Sequence, residues 1–355
     1  MALFSRGKRD RDKPADTDVE RSAEQPAATG SAVPEAPVAE PAAAPHETPA
    51  GVSEEGTDAA AEASVGISVS SFRGVGAAPP PPTSPARGAR STAPPATETM
   101  PGLRDNVLLE QALGALEENP TPQQILGVAR QLLQGQLFLR VQGDARTLLS
   151  EGKPLPLAIV SLNDENFVVA YSGGKSLAAS LRSDGNTETS VMAQASIAVI
   201  RHVLAGPYAG IALDPASMPA RAVLRRDMLE RMVDGIDPKL ELKALLAGER
   251  SQATAPAVVQ ALAHVPIWVA VSRAGEEGKF GVAEARTNDG ERFLEIFSHP
   301  LEVVALGRGD QPAPMTAEQL GKALRSDTGL TGVVLDPAGP WIRLSRAELG
   351  AVISG

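Results

Sequence analysis

Two stretches decide the fold: Gly210-Ile211-Ala212-Leu213-Asp214-Pro215 and Gly332-Val333-Val334-Leu335-Asp336-Pro337. Each is a short apolar run ending in Asp-Pro. That is the pattern of a buried strand stopped by a turn, because Asp caps the backbone and Pro donates no N–H to a neighbouring strand. Their agreement position by position reads as an internal repeat, which fixes organisation before any motif does.

Working outward, the agreement extends upstream. The first copy runs through residues 136–141 (QLFLRV), 155–162 (LPLAIVSL), a polar turn at 163–166, and 167–171 (FVVAY). The second runs through 266–271 (PIWVAV), 280–286, a turn at Asn288-Asp289-Gly290, and 293–297 (FLEIF). The third strand of each ends in an aromatic followed by Ser: Tyr171-Ser172 and Phe297-Ser298. Asp-Gly in the second turn is a strong hairpin signal, since Gly tolerates the positive φ of a primed turn.

Helices are expected in the gaps. Residues 106–116 and 121–133 precede the first strand, and 238–246 and 256–264 are their counterparts. Residues 190–204 (SVMAQASIAVIRHVL) carry apolar groups at helical spacing and stop at Gly206-Pro207. Residues 226–233 close the first copy. Thr316-Ala317-Glu318-Gln319 and Ser345-Arg346-Ala347-Glu348 read as capping boxes opening helices to Arg325 and Val352. The fold class is therefore α+β. Two homologous domains, 103–236 and 237–355, each hold a small, mainly antiparallel sheet with interspersed helices, and they follow a tail over 1–102.

This order of elements, with the aromatic-Ser pair and a G-h-h-L-D-P phrase (h, apolar) before a final helix, resembles the N-terminal domain of the SseB family. That bacterial family is named for enhanced serine sensitivity. The phrase Leu335-Asp336-Pro337-Ala338-Gly339-Pro340-Trp341-Ile342 looks most like it. The resemblance spans both copies, about 106–355. Family members usually carry Asn where Asp214 and Asp336 stand, so this chain keeps the turn and adds charge. The resemblance implies no catalytic residues.

Composition bounds the rest. Of 355 residues the first hundred are mostly Ala, Pro, Glu, Ser, Thr and Gly. Such a stretch buries too little apolar surface to offset the ~1–2 kcal/mol per residue lost on ordering, so disorder is expected there. Its basic tip (Arg6, Lys8, Arg9, Arg11, Lys13) reads as a solubilising end rather than a membrane anchor, since Asp10 and Asp12 dilute it. Pro79 to Pro82 read as a stiff spacer. The net charge of −10, with no basic patch in the body, argues against nucleic acid. The absence of Cys excludes thiolate chemistry, disulfides and iron–sulfur clusters. No apolar run approaches the ~20 residues of a membrane span, so a soluble, cytoplasmic chain is expected.

Motifs for chemistry are sparse. Ser172-Gly173-Gly174-Lys175-Ser176 resembles the end of a phosphate loop, but the earlier Gly such a loop needs is replaced by Val169 inside a strand. His46, His202, His264 and His299 have no ligand spacing, so no metal and no cofactor are expected. Asp214 and Asp336 stand as structural twins before they stand as an acid–base pair. Trp341, beside Gly339-Pro340, reads either as core under the last helix or as a binding anchor. Trp341, Asp336, Asp214 and Lys175 are the candidate binding residues. The expectation is a non-enzymatic binding or scaffold protein, monomeric, with a protein partner. The alternative is a small-ligand sensor or enzyme with its site in the cleft between the domains.

Overall fold

A computed structural model describes residues 90–186, 188–274 and 279–354. The basic tip and the proline run lie outside the described residues, while 90–102, assigned to the tail on composition, lie within them. All described residues fall in one compact unit.

The first repeat contains α1 (Val107–Gly114), α2 (Pro122–Leu132), β1 (Gln136–Gln142), α3 (Ala145–Ser150), β2 (Ile159–Leu162), β3 (Glu165–Ala170) and α4 (Gly174–Asp184). It continues through β4 (Thr189–Ala195), α5 (Ser196–Ala205), β5 (Gly210–Leu213), β6 (Ala222–Arg225) and α6 (Arg226–Val233). The second holds α7 (Glu241–Ala247), α8 (Thr254–Leu262), β7 (Ile267–Ala274), β8 (Lys279–Val282), β9 (Glu284–Arg286) and β10 (Arg292–Phe297). After these come α9 (Pro300–Ala305), β11 (Gln311–Met315), α10 (Ala317–Ser326), β12 (Leu330–Leu335), β13 (Ile342–Ser345) and α11 (Gly350–Ser354).

The second sheet has the order β11-β7-β10-β12-β13, with β8 on β7 and β9 on β10. The first repeats it in two pieces, β4 with β1 and β2-β3-β5-β6. The pieces are joined where Phe138 and Tyr171 exchange backbone hydrogen bonds of 2.9 Å in both directions. The corresponding residues of the second repeat, Trp268 and Phe297, are likewise opposite each other. Each sheet is antiparallel except for one central parallel pair, β3–β5 and β10–β12. A parallel pair needs a long crossover, which is why an intervening helix, edge strand and second helix separate its members.

Strands at the centre are buried on both faces, so they read as continuous apolar runs. In the first repeat Leu137, Leu139, Val168, Ala170, Ile211, Leu213 and Leu224 pack under helices together with Leu109, Val128, Ile200 and Leu229. On the opposite face Phe138, Val169 and Tyr171 meet Leu177, with Met100 and Leu103 against them. Arg226 and Arg346 hold equivalent places, each donating to carbonyls at the end of the preceding helix: Arg226 to Val203 and Gly206, Arg346 to Leu324.

The helix expected over 190–204 is in fact a strand followed by a helix. Thr189–Ala195 forms β4 and pairs with β1 throughout, Gln136 opposite Ala195 and Gln142 opposite Thr189. Val191 and Ala193 pack with the Phe138 cluster, while Met192 packs with the helical side. With both faces apolar, the period of two is hidden in composition. The last helix also starts later than expected. Glu348 does accept from the Ser345 backbone N–H and hydroxyl at 2.7 Å, but residues 346–349 form turns and α11 begins at Gly350.

Candidate functional site

The two features that reveal the repeat, aromatic-Ser and Leu-Asp-Pro, meet in space. β3 and β5 lie side by side, so Ser172 at the end of one faces Asp214 at the end of the other. The Ser172 N–H donates to Asp214 Oδ1 at 2.8 Å, and its hydroxyl donates to Oδ2. In the second repeat Ser298 N–H donates to Asp336 Oδ1 at 2.8 Å and its hydroxyl to Oδ2 at 2.5 Å. Both aspartates take left-handed backbone, φ 48° and 52°. Asp and Asn are enriched there, and either presents the acceptor that the Ser N–H needs. Both carboxylates are under 5 % exposed. Burial pushes Asp214 above its ordinary value, and burial with the nearby Glu302 charge pushes Asp336 up to about 7.

Around Asp336 the repeats touch. Glu302, on α9 and 2 % exposed, pairs with Arg130 of α2 at 3.1 Å and with Lys243 of α7. Burial opposes its ionisation, but Arg130 and Lys243 outweigh it and hold Glu302 below its usual value. His299 donates from Nε2 to the Met232 carbonyl in the first repeat, while Nδ1 accepts from the Leu301 N–H at 3.0 Å. Those two bonds require the neutral ring protonated on Nε2, and burial, then Lys243, lowers its pKa to about 4. Gln123 Nε2 adds a bond to the Ala305 carbonyl.

Above this cluster opens a groove of about 270 Å³. Leu108, Gln111 and Ala112 of α1 and Gly127, Arg130 and Gln131 of α2 form one wall. Residues 338–340 form another, and Arg90, Thr92 and Pro94, from a strap of chain ahead of α1, line it too. A smaller cavity shares Leu108, Gln131, Gly339 and Pro340 with it and is lined as well by Lys243, Glu302 and Asp336.

Of the four candidates, Asp336 lines that smaller cavity and Trp341 follows the groove residue Pro340. Trp341 packs on Ala285, Phe293 and Val334. Asp214 and Lys175 lie elsewhere, in the first repeat. Lys175 is exposed, and the N-terminus of its helix receives a carboxylate from within the chain: Gly174 N–H donates to Asp105 Oδ1 at 2.8 Å. Asp105 is itself held by Thr97 and Thr99. No group of three or more His, Asp or Glu among the described residues is placed to hold a metal ion.

Sequence reasoning missed Glu302, Lys243 and Arg130. A partial signal existed in the repeat: counted from Ser172 and Ser298, Glu302 stands where the first copy has Ser176, whereas Lys243 follows the core residue Leu242 as Glu110 follows Leu109. A buried carboxylate where the other copy has a hydroxyl needs cations of its own, and here they come from both repeats.

The model of the SseB protein N-terminal domain matches the chain twice, over residues 109–231 and 241–351. No curated protein and no solved structure matches it. Among the described residues, no helix is long and apolar enough to cross a membrane.

Proposed function

The chain belongs to the SseB family, with that family's N-terminal domain present twice, and from this premise we propose a non-catalytic binding protein in which both repeats act as one body. The domains take the bounds 103–236 and 237–355, and the partner is a protein. The observation that carries the reading is the duplicated Ser–Asp clamp. Each aspartate uses both oxygens on a Ser N–H and hydroxyl, Asp336 beside the groove and Asp214 away from it. A geometry that recurs regardless of the groove serves the fold, so the most conspicuous carboxylates are not acid–base groups.

The test is capture from native extract on immobilised full-length chain. One protein held stoichiometrically, still held by Asp214→Asn and Asp336→Asn and weakened at least tenfold by Glu302→Ala, is the expected outcome. Turnover of a small molecule by repurified chain, lost in Asp336→Asn, would overturn it.

A second reading, a small ligand in the inter-repeat groove, is favoured by one observation. An apolar wall there meets convergent polar groups, Arg130, Gln131 and, below them, Asp336, whose ionisation is perturbed.

A further inference from the structure

Arg250 lies in the loop after α7. Its Nη2 donates to the carbonyls of Ser91, at 3.1 Å, and Trp341, at 3.2 Å. Its Nη1 is buried and has no hydrogen-bond partner among the described residues. The indole Nε1 of Trp341 is likewise buried without a partner. Two unsatisfied donors thus belong to residues that touch each other. Native interiors rarely leave such donors unpaired, and each exception calls for a physical reason.

Arg140 and Arg308 each bury an Nε without a hydrogen-bond partner too, but their guanidinium groups are paired with carboxylates. Arg130 pairs with Glu302, Arg140 with Asp184, Arg292 with Glu284 and Asp327, and Arg308 with Glu295 and Asp310. Arg250 has no carboxylate among the described residues, and burial lowers its pKa without an anion to offset the loss of water.

Neither Arg250 nor Trp341 lines the groove itself, but both adjoin it. Ser91 sits between the groove residues Arg90 and Thr92, and Trp341 follows Pro340. Arg90 and Arg130 are the charged residues lining the groove, both basic. The other lining residues are uncharged: the small or apolar Leu108, Ala112, Gly127, Ala338 and Pro340, with Gln111, Gln131 and Thr92 as polar groups.

We propose that Arg250, beside Trp341, is the anion-recognition end of this groove, and that the groove takes a small organic carboxylate with an apolar body. A carbonyl offers one oxygen, which the strap supplies to Nη2 through Ser91. A carboxylate offers two in the plane of the guanidinium fork, so it replaces the Ser91 carbonyl on Nη2 and also satisfies Nη1. The apolar body then lies against Leu108, Ala112 and Pro340. A groove of about 270 Å³ suits a molecule of modest size rather than a drug-sized one. The proposal rests on the groove reading given above, and it adds the ligand class and the residue that selects it.

The test uses full-length, nitrogen-15-labelled chain titrated with benzoate and with benzamide, its neutral counterpart of equal shape. The chain has two Trp, 268 and 341, so its two indole N–H resonances are assigned by Trp341→Phe. The expected result is a saturable shift of the Trp341 indole with benzoate, at a dissociation constant of about 1 mM, with Trp268 unmoved. Benzamide binds at least tenfold more weakly, Arg250→Gln abolishes the benzoate shift, and Arg250→Lys restores part of it. If both probes bind alike, or Arg250→Gln leaves benzoate binding intact, the anion role is overturned while the groove reading stands. If neither probe moves Trp341 up to about 10 mM, both are overturned.

Discussion

Asp336, bonded to Ser298, and His299, the next residue, are both buried with opposite ionisation preferences, and the consequence is a compensated pH profile. Asp336, raised to about 7, keeps its proton in the fold, so its contribution is complete near pH 4 and is lost as pH rises toward 7. His299, lowered to about 4, stays neutral in the fold, so its contribution is complete above about 6.5 and is lost as pH falls toward 4. Between pH 4 and 6.5 the unfolded pair holds one proton, on His, and the folded pair also holds one, on Asp; the two slopes cancel. Removing either partner exposes the other. Asp336→Asn should make urea stability fall as pH drops from 6.5 to 4, and His299→Asn should make it fall as pH rises from 4 to 7. Equal profiles for both variants and the parent would contradict the assignment. Asn at 336 keeps the acceptor for the Ser298 N–H, so the variant should fold.

At the level of elements, the glycine that opens each Gly-h-h-Leu-Asp-Pro phrase has a steric reason. A Cβ on Gly210 would overlap the Leu224 carbonyl, and one on Gly332 would overlap the Leu344 carbonyl, each on the antiparallel strand next to it. Gly210→Ala or Gly332→Ala should therefore cost about 2–4 kcal/mol, read as a lower urea midpoint; an unchanged midpoint would show that β6 or β13 yields freely. The central strands and the duplicated turn were legible because burial on both faces leaves continuous apolar runs. Edge elements were not. β4 was read as a helix because Val191, Met192 and Ala193 are apolar on both faces of the strand, which removes the alternation that marks one. β11 (QPAPM) went unforeseen because Pro312 and Pro314 argue against a strand, yet an edge strand tolerates proline where the missing N–H would face outward. The Ser–Asp clamps were visible as two separate motifs, and only the parallel pairing of β3 with β5 and β10 with β12 shows that they are one feature. The Arg130–Glu302–Lys243 cluster was invisible for a plainer reason: three residues far apart in sequence carry no spacing signal.

For the whole molecule, the repeats are joined by charge as well as by apolar contact. Glu302 is under 3 % exposed and serves a cation from each repeat, Arg130 from the first and Lys243 from the second. A buried ion pair adds little net stability over an apolar substitute, but removing one partner leaves buried charge uncompensated, at a cost of about 3–5 kcal/mol. Leu301, beside it, packs into the core of the first repeat, so the α9 segment completes its neighbour. The two repeats should therefore unfold together. Both tryptophans lie in the second repeat, so their fluorescence follows that half alone, while far-ultraviolet circular dichroism follows both. The most direct measurement is urea unfolding of the full-length chain by both signals, alongside Glu302→Ala. Coincident midpoints in the parent, separating in Glu302→Ala, are the predicted result. Separate midpoints in the parent chain would contradict a single binding body.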